Sequence, residues 1–338
     1  MSISNDVLSS TLRILLEEEV DNLFKAVPLL EEMRKGGGVE TYDGGQKLNV
    51  PLILAEHSSI TQLSNGYEPV NLAVKDALRQ AEFNWCDFVA PVVITRKEEL
   101  SNKGPKAVVS IAEARMKSVM GLLQREVEKQ LIAGTSSVLT ELNTLATTKF
   151  DRSGAVQGFL AGAEFQGGQQ DGTVGGINTS VFTSFQNQFV ESPTLSIQDM
   201  TDLYIRCQAH TPGGGSPNLI ISNADTYKDY KKLLFDNERY IAENQLDGGR
   251  LTLAFHGARM YYDPFLDGVQ TETTTGAGKA IRAYFLNTDH LKLAFDSDAQ
   301  FEMEDFEHIS GYASRSANIL TRLQMYVEHL SSQGLLTK

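Results

Sequence analysis

Along the first 35 residues, apolar positions recur at steps of mostly three and four. Val7, Leu8, Leu12, Leu15, Leu16, Val20, Leu23 and Phe24 form one stripe of a helix over 6–25. Pro28 suits a first helical turn and "GGG" at 36–38 is a stop signal, so a second, short helical turn fits between them. The pattern predicts a helical arm whose apolar stripe needs a covering surface, in this chain or in another. After Val39 the signature becomes strand-like: "KLNVPLIL" and "RQAEFNWCDFVAPVVITR" flank a polar interval. They predict a two-stranded excursion over 39–96 with a loosely structured tip near "SITQLSNGYEPVN". A lone hairpin of that length is marginal in water, so another surface should cover it.

The strongest periodicity follows. Val108, Ala112, Met116, Val119, Met120, Leu123, Val127 and Leu131 share one helical face, with Glu113, Lys117, Gln124 and Glu128 on the other. Pro105 opens this helix and Gly134 stops it. At about 1.5 Å per residue, 105–133 makes a rod of roughly 44 Å, a spine on which other elements can hang. Gly, Ser, Thr and Gln dominate 135–194, predicting loops with short strands. Helix "SIQDMTDLYIRCQAH", strand "PNLIISN", helix "ADTYKDYKKLLF" and strands "RLTLAFH", "ARMYYD" and "IRAYFLN" then describe an α/β unit over 195–290. The tail alternates at Leu291, Leu293 and Phe295, and again at Ile319, Leu323 and Met325, predicting closing strands.

Composition narrows the function classes. The 338 residues suffice for two domains, or one with large insertions, and 41% hydrophobic with 22% charged residues marks a globular chain. A net charge of -13 repels phosphate and anionic membranes, so sequence-specific nucleic-acid binding is not expected. Two cysteines, Cys86 and Cys207, are too few for a disulfide framework or a structural zinc site. With no signal-peptide pattern and no apolar run of about 20 residues, a soluble product, cytoplasmic at synthesis, is expected.

Chemical candidates are weak. Asp289 and His290 sit side by side in "AYFLNTDHLKLAF", but neighbours on a strand point to opposite faces, whereas a dyad must converge on a nucleophile. "NTDH" reads instead as an Asx-type turn between two strands, capped by its own polar residues, with the Asp289 side chain as the candidate cap. "TTTGAGKA" lacks the first glycine and the hydroxyl of a phosphate loop, and in "GGGSP" the strand follows the serine instead of preceding it. The histidines at 57, 210, 256, 290, 308 and 329 show no paired ligand spacing. Glu302 and Glu304 would share a strand face opposite Asp305, a minor candidate for a cation. No catalytic residue, metal or cofactor is expected.

The order of parts resembles the major capsid protein of tailed bacteriophages, the Hong Kong ninety-seven-like fold of the α+β class. The short patterns that carry it are "VGGINTS", "NLIISNADTYKDYKKLL", "GRLTLAFHGARMYYDP", "AYFLNTDHLKLAF" and "LQMYVEHLSSQGLL". The resemblance implies an N-terminal arm at 1–38 and an extended β loop at 39–96 lying across a neighbouring subunit. It further implies a peripheral domain from 97–194 and 291–338 with spine helix 105–133, and an axial domain at 195–290. The implied function is an icosahedral shell of hexamers and pentamers around double-stranded DNA, which it encloses without sequence-specific binding. The implied location is the virion, with assembly in the host cytoplasm and no membrane. Implied partners are a scaffolding protein separate from this chain or already cleaved from it, a portal and decoration proteins. Lys75 and Lys103 lie near positions where some relatives crosslink, yet nothing local marks either as reactive and no crosslink is expected. Two other readings stay open: an encapsulin-like nanocompartment shell, and a cytosolic hydrolase using Asp289 or His290.

Overall fold

The computed structural model describes residues 12–17, 19–20, 22, 27–54, 78–101, 105–133, 173–178, 181–182, 185–209, 211, 215–236, 244–245, 251–267, 280–309 and 311–338. Helical residues 12–17 bury Leu12 and Leu16 in the main core of the same chain. Arg13 pairs with Asp305 at 3.2 Å, and the described part of the arm's stripe packs on this chain's own core. Helix α1 (Pro28–Lys35) opens on its proline and ends at Gly36, with Gly37 at φ 69°.

Strand β1 (Val39–Tyr42) runs parallel to β13 (Leu291–Asp296), and β13 pairs antiparallel with the long β16 (Ser314–Val327). The register sets Leu291, Leu293 and Phe295 opposite Val327, Met325 and Leu323, the alternation read from the tail. The other edge of β16 takes all of β4 (Cys86–Thr95), since Leu323 faces Phe295 on one side and Cys86 on the other. Along β4 the even positions Cys86, Ala90, Val92 and Ile94 are buried, as a one-sided strand requires. Short strands β14 (Glu302–Met303) and β15 (Glu307–His308) complete this six-stranded sheet. Arg322 fastens it, reaching Asp87 at 2.8 Å and Asp296 at 3.1 Å.

The expected excursion is therefore shorter than 39–96. Its outer strands β1 and β4 belong to the six-stranded sheet, and only β2 (Lys47–Ile53) and β3 (Leu78–Asn84) form a separate two-stranded pair. Leu48, Val50, Leu52, Ala81 and Phe83 form its buried face. A tight turn between β5 (Thr173–Val174) and β6 (Ile177–Asn178) presses on that face, with Glu82 N–H bonding the Gly175 carbonyl at 2.9 Å. A Cβ at Gly175 would stand 2.8 Å from that of Ala81. The base of the hairpin is thus covered within the chain; its expected tip lies outside the described residues.

Helix α2 (Arg96–Ser101) leads to the spine α3 (Pro105–Ala133), with the limits read from the sequence. Ala112, Met116, Met120, Leu123, Val127 and Leu131 are buried along it. Glu128, expected on the outer face, is buried too, because Val127, Leu131 and Ile132 around it are all covered and a wider arc of the helix is enclosed there. Arg115 hydrogen-bonds the Val93 carbonyl and pairs with Glu98, tying the spine to β4 and α2.

The second sheet has seven strands in the order β7 (Gln188–Glu191), β17 (Gly334–Thr337), β12 (Ile281–Leu286), β8 (Leu219–Ser222), β11 (Ala258–Tyr262), β10 (Leu251–Phe255), β9 (Asn244–Gln245). Its central strands are buried on both faces. Ile220, Met260, Ala283, Phe285 and Leu336 pack under helices α4 (Ile197–Ala209) and α5 (Ala224–Asp236), and their neighbours Ile221, Tyr261, Tyr284 and Leu335 join the core of the first sheet. This explains why β12 is buried at every position and reads as apolar apart from Arg282. Ser196 caps the N-terminus of α4, its Oγ accepting from Asp199 N–H at 3.0 Å. Asp199 itself turns to Ser192 at 2.7 Å instead of closing a capping box. The sheet passes both limits expected at 195 and 290, because β7 and β17 pair beside β12.

Candidate assembly surface and the corner at Asp289

The chain leaves β12 at Leu286 and enters β13 at Leu291, passing from one sheet to the other through Asn287, Thr288, Asp289 and His290. An Asx turn forms, but Asn287 makes it: its Oδ1 accepts from Asp289 N–H at 3.2 Å and its carbonyl from His290 N–H at 3.4 Å. Asp289 is exposed, and among the described residues its carboxylate makes no hydrogen bond to the His290 ring. That ring lies instead 5.6 Å from the His329 ring, centroid to centroid. The cap expected from the Asp289 side chain thus passes to its neighbour, and the two residues form no dyad.

Partners far away in sequence hold the corner. Asn218, just before β8, accepts Thr288 N–H at 3.1 Å and donates to Thr288 Oγ1 at 2.7 Å. Gln333 brackets Asn287, accepting its N–H at 2.9 Å and donating to its carbonyl at 3.0 Å. Sequence reading missed both, since a polar residue beside an apolar run carries no sign of a partner 46 or 70 positions away.

Beside the corner, Glu40 of β1 accepts hydroxyl hydrogen bonds from Tyr326 at 2.7 Å and Tyr42 at 2.8 Å and lies 3.8 Å from Lys292. Burial works against its charge, but the two hydroxyls and the Lys292 ammonium outweigh it and hold the carboxyl below the usual range. The Tyr326 hydroxyl is pushed up by burial, then by Tyr42 and Glu40. Because the folded state favours the Glu40 carboxylate, this stabilisation is complete above the unfolded pKa and is lost as pH falls through the lower, folded value. Between about pH 5 and 3, Glu40→Gln should lose less stability than the parent chain, measured by thermal unfolding across that range.

The remaining candidates disperse. Glu304 accepts from Asn318 Nδ2 at 2.7 Å and Asp305 is paired with Arg13, so the acidic run is engaged by the chain itself. Asp305 is also exposed with Glu302 and Glu304, not on an opposite, inner face. Among the described residues no three His, Cys, Asp or Glu side chains gather as metal ligands. Cys86 and Cys207 are buried apart, and burial pushes the Cys207 thiol up to about 12, which leaves it protonated and unreactive. His57, His210, Lys75, Lys103 and the loop "TTTGAGK" lie outside the described residues.

What the surface does offer is exposed apolar side chains on long elements. Ile53 and Leu78 face each other across the β2–β3 pair at 76% and 63% exposure, on the face opposite the buried one. Val89 on β4 and Leu122 on the spine are also more than half exposed. No helix among the described residues is long and apolar enough to cross a membrane.

No family model matches the chain, and no curated protein does either. Solved structures match over nearly its whole length. The capsid of cyanophage A-1(L) aligns at 11% identity over 88% of this chain and 89% of that one, with TM-score 0.57. The capsid of the native GTA particle aligns at 10% identity over 90% and 89%, with TM-score 0.54. The SrpI encapsulin from Synechococcus elongatus PCC 7942 aligns at 11% identity over 90% and 86%, with TM-score 0.51. With arm, two-stranded excursion, spine helix and two packed sheets in that order, the chain has the Hong Kong ninety-seven-like capsid fold of the α+β class.

Proposed function

We propose that this chain is a major capsid protein that self-assembles through hexamers and pentamers into an icosahedral shell enclosing double-stranded phage DNA. The observation that carries the reading is the likeness to phage and GTA capsids over about nine-tenths of the chain. Identical subunits meeting head to tail close as rings, and exposed apolar residues such as Ile53, Leu78 and Leu122 suit burial between copies. A net charge of -13 fits a lining that confines the duplex without gripping it. The arm, the extended loop and the peripheral and axial domains keep their expected roles, with the sheet limits corrected as described. A separate scaffold, a portal and decoration proteins complete the proposed set of partners, with assembly in the host cytoplasm and the virion as destination.

Electron microscopy and sedimentation of the expressed chain, with its scaffold supplied, should show closed shells. A chain that stays monomeric under those conditions would sink the reading. A nanocompartment shell is the second reading, favoured by the encapsulin likeness, and particle content decides between them: packaged duplex DNA for a head, enclosed protein for a compartment. The hydrolase reading loses its support because Asp289 and His290 do not converge. His290→Ala should leave shell formation unchanged and remove no turnover; loss of a measured hydrolytic activity in that variant would restore the enzyme.

A further inference from the structure

We infer that Gln333 is a positioning residue: a buried clasp that fixes how the two sheets are joined by holding both chain crossings between them. The outward crossing is the corner after β12. The return crossing runs from the end of β16 through Leu330, Ser331 and Ser332 into β17. Gln333 stands on the return, is 0% exposed, and has every hydrogen-bonding group engaged. Its N–H donates to the Leu330 carbonyl at 3.0 Å and its carbonyl accepts from Gln188 N–H at 2.8 Å, at the start of β7. Its Oε1 accepts Asn287 N–H at 2.9 Å, while its Nε2 donates to the Asn287 carbonyl at 3.0 Å and to Ser332 Oγ at 3.1 Å. One side chain thus imitates a strand neighbour for a residue that has left its strand, and a fully satisfied buried amide selects a single arrangement of the groups around it.

No other side chain serves. Asparagine is one methylene short, leucine or methionine strands the N–H of the equally buried Asn287 and leaves its carbonyl only the longer bond from His290 N–H, and glutamate can accept from the N–H but, when ionised, has no proton for the carbonyl. The role belongs to the folded chain. Its consequence for particles, a fixed angle between the two sheets in every subunit, rests on the shell reading.

Hydrogen exchange on the full-length chain tests it. In the parent chain, the Asn287 amide should show a protection factor matching those of central β12 amides, although it sits in a turn. Gln333→Met should lower that factor by about tenfold, the equivalent of one buried hydrogen bond. Gln333→Glu, which keeps an acceptor for the Asn287 N–H, should protect that amide better than Gln333→Met does at the same pH. An unprotected Asn287 in the parent chain overturns the clasp without any variant. So does a Gln333→Glu chain whose Asn287 amide is no better protected than in Gln333→Met. Particle images belong to a separate arm: absent shells from the parent chain count against the shell reading and leave the protection factors to judge Gln333.

Discussion

Removing residues 56–70 should leave a folded chain that no longer closes into shells. Residues 55–77 lie outside the described part, but the strands entering and leaving them do not. Their inner face, Leu48, Val50, Leu52, Ala81 and Phe83, is buried against the chain's own β5–β6 turn, and Phe83 stands 6.2 Å from the Tyr326 ring. A shortened connection therefore keeps its anchor, and loop entropy changes slowly with length, so stability should move by about 1 kcal/mol or less. The outer face is different. Ile53 and Leu78 present an apolar pair, 76% and 63% exposed, at the end of the separate two-stranded pair. In a closed shell every copy makes the same contacts, so about 2 kcal/mol lost at each contact weakens every contact by more than tenfold. Circular dichroism should report the parent fold and sedimentation should report free subunits or small rings. Shells of normal size and yield from the deletion would end the intersubunit role of the excursion.

How much of this was legible depended on the distance over which each signal acts. The spine was read to the residue because twenty-nine positions with one helical period and Pro105 at the start leave little alternative. The pairing of β13 with β16 showed in the alternation of both strands. The extent of the excursion did not, since β1 and β4 resemble any other strand in composition and their partners, β13 and β16, lie more than two hundred residues onward. Nor did the ends of the second sheet: β17 is four residues, "GLLT", whose membership is decided by β7 and β12 on either side. At the corner, local chemistry announced an Asx turn and named its three polar residues, but Asn287 and Asp289 are equally able caps on paper. The choice falls to Asn287 because Gln333 and Asn218 grip Asn287 and Thr288 from outside.

The stop at Gly36, Gly37 and Gly38 separates into three unequal demands, and Gly38→Ala should be by far the most damaging change. Gly37 alone has a positive φ, 69°, with open space around it, so Gly37→Ala should cost only the strain of a left-handed residue, about 1 kcal/mol. At Gly36 an added methyl would lie 3.3 Å from the Glu32 carbonyl, a tight but tolerable approach. At Gly38 it would stand 2.9 Å from the Leu291 carbonyl and 3.1 Å from that of Met33, both backbone atoms that no rotamer change can move. The same residue donates its N–H to Met33 and accepts Leu293 N–H, each at 2.7 Å, so it is the point where α1 ends, β1 begins and β13 is met. Making room means parting α1 from the corner or β1 from β13, with loss of those bonds and of the Glu40 cluster behind them. We expect about 3 kcal/mol, at the upper end of what overpacking removes, against about 1 kcal/mol at Gly37. Denaturant unfolding of the two alanine variants side by side provides the measurement. Equal losses would show that the arm joins the sheets loosely and that the close approach at Gly38 yields without resistance.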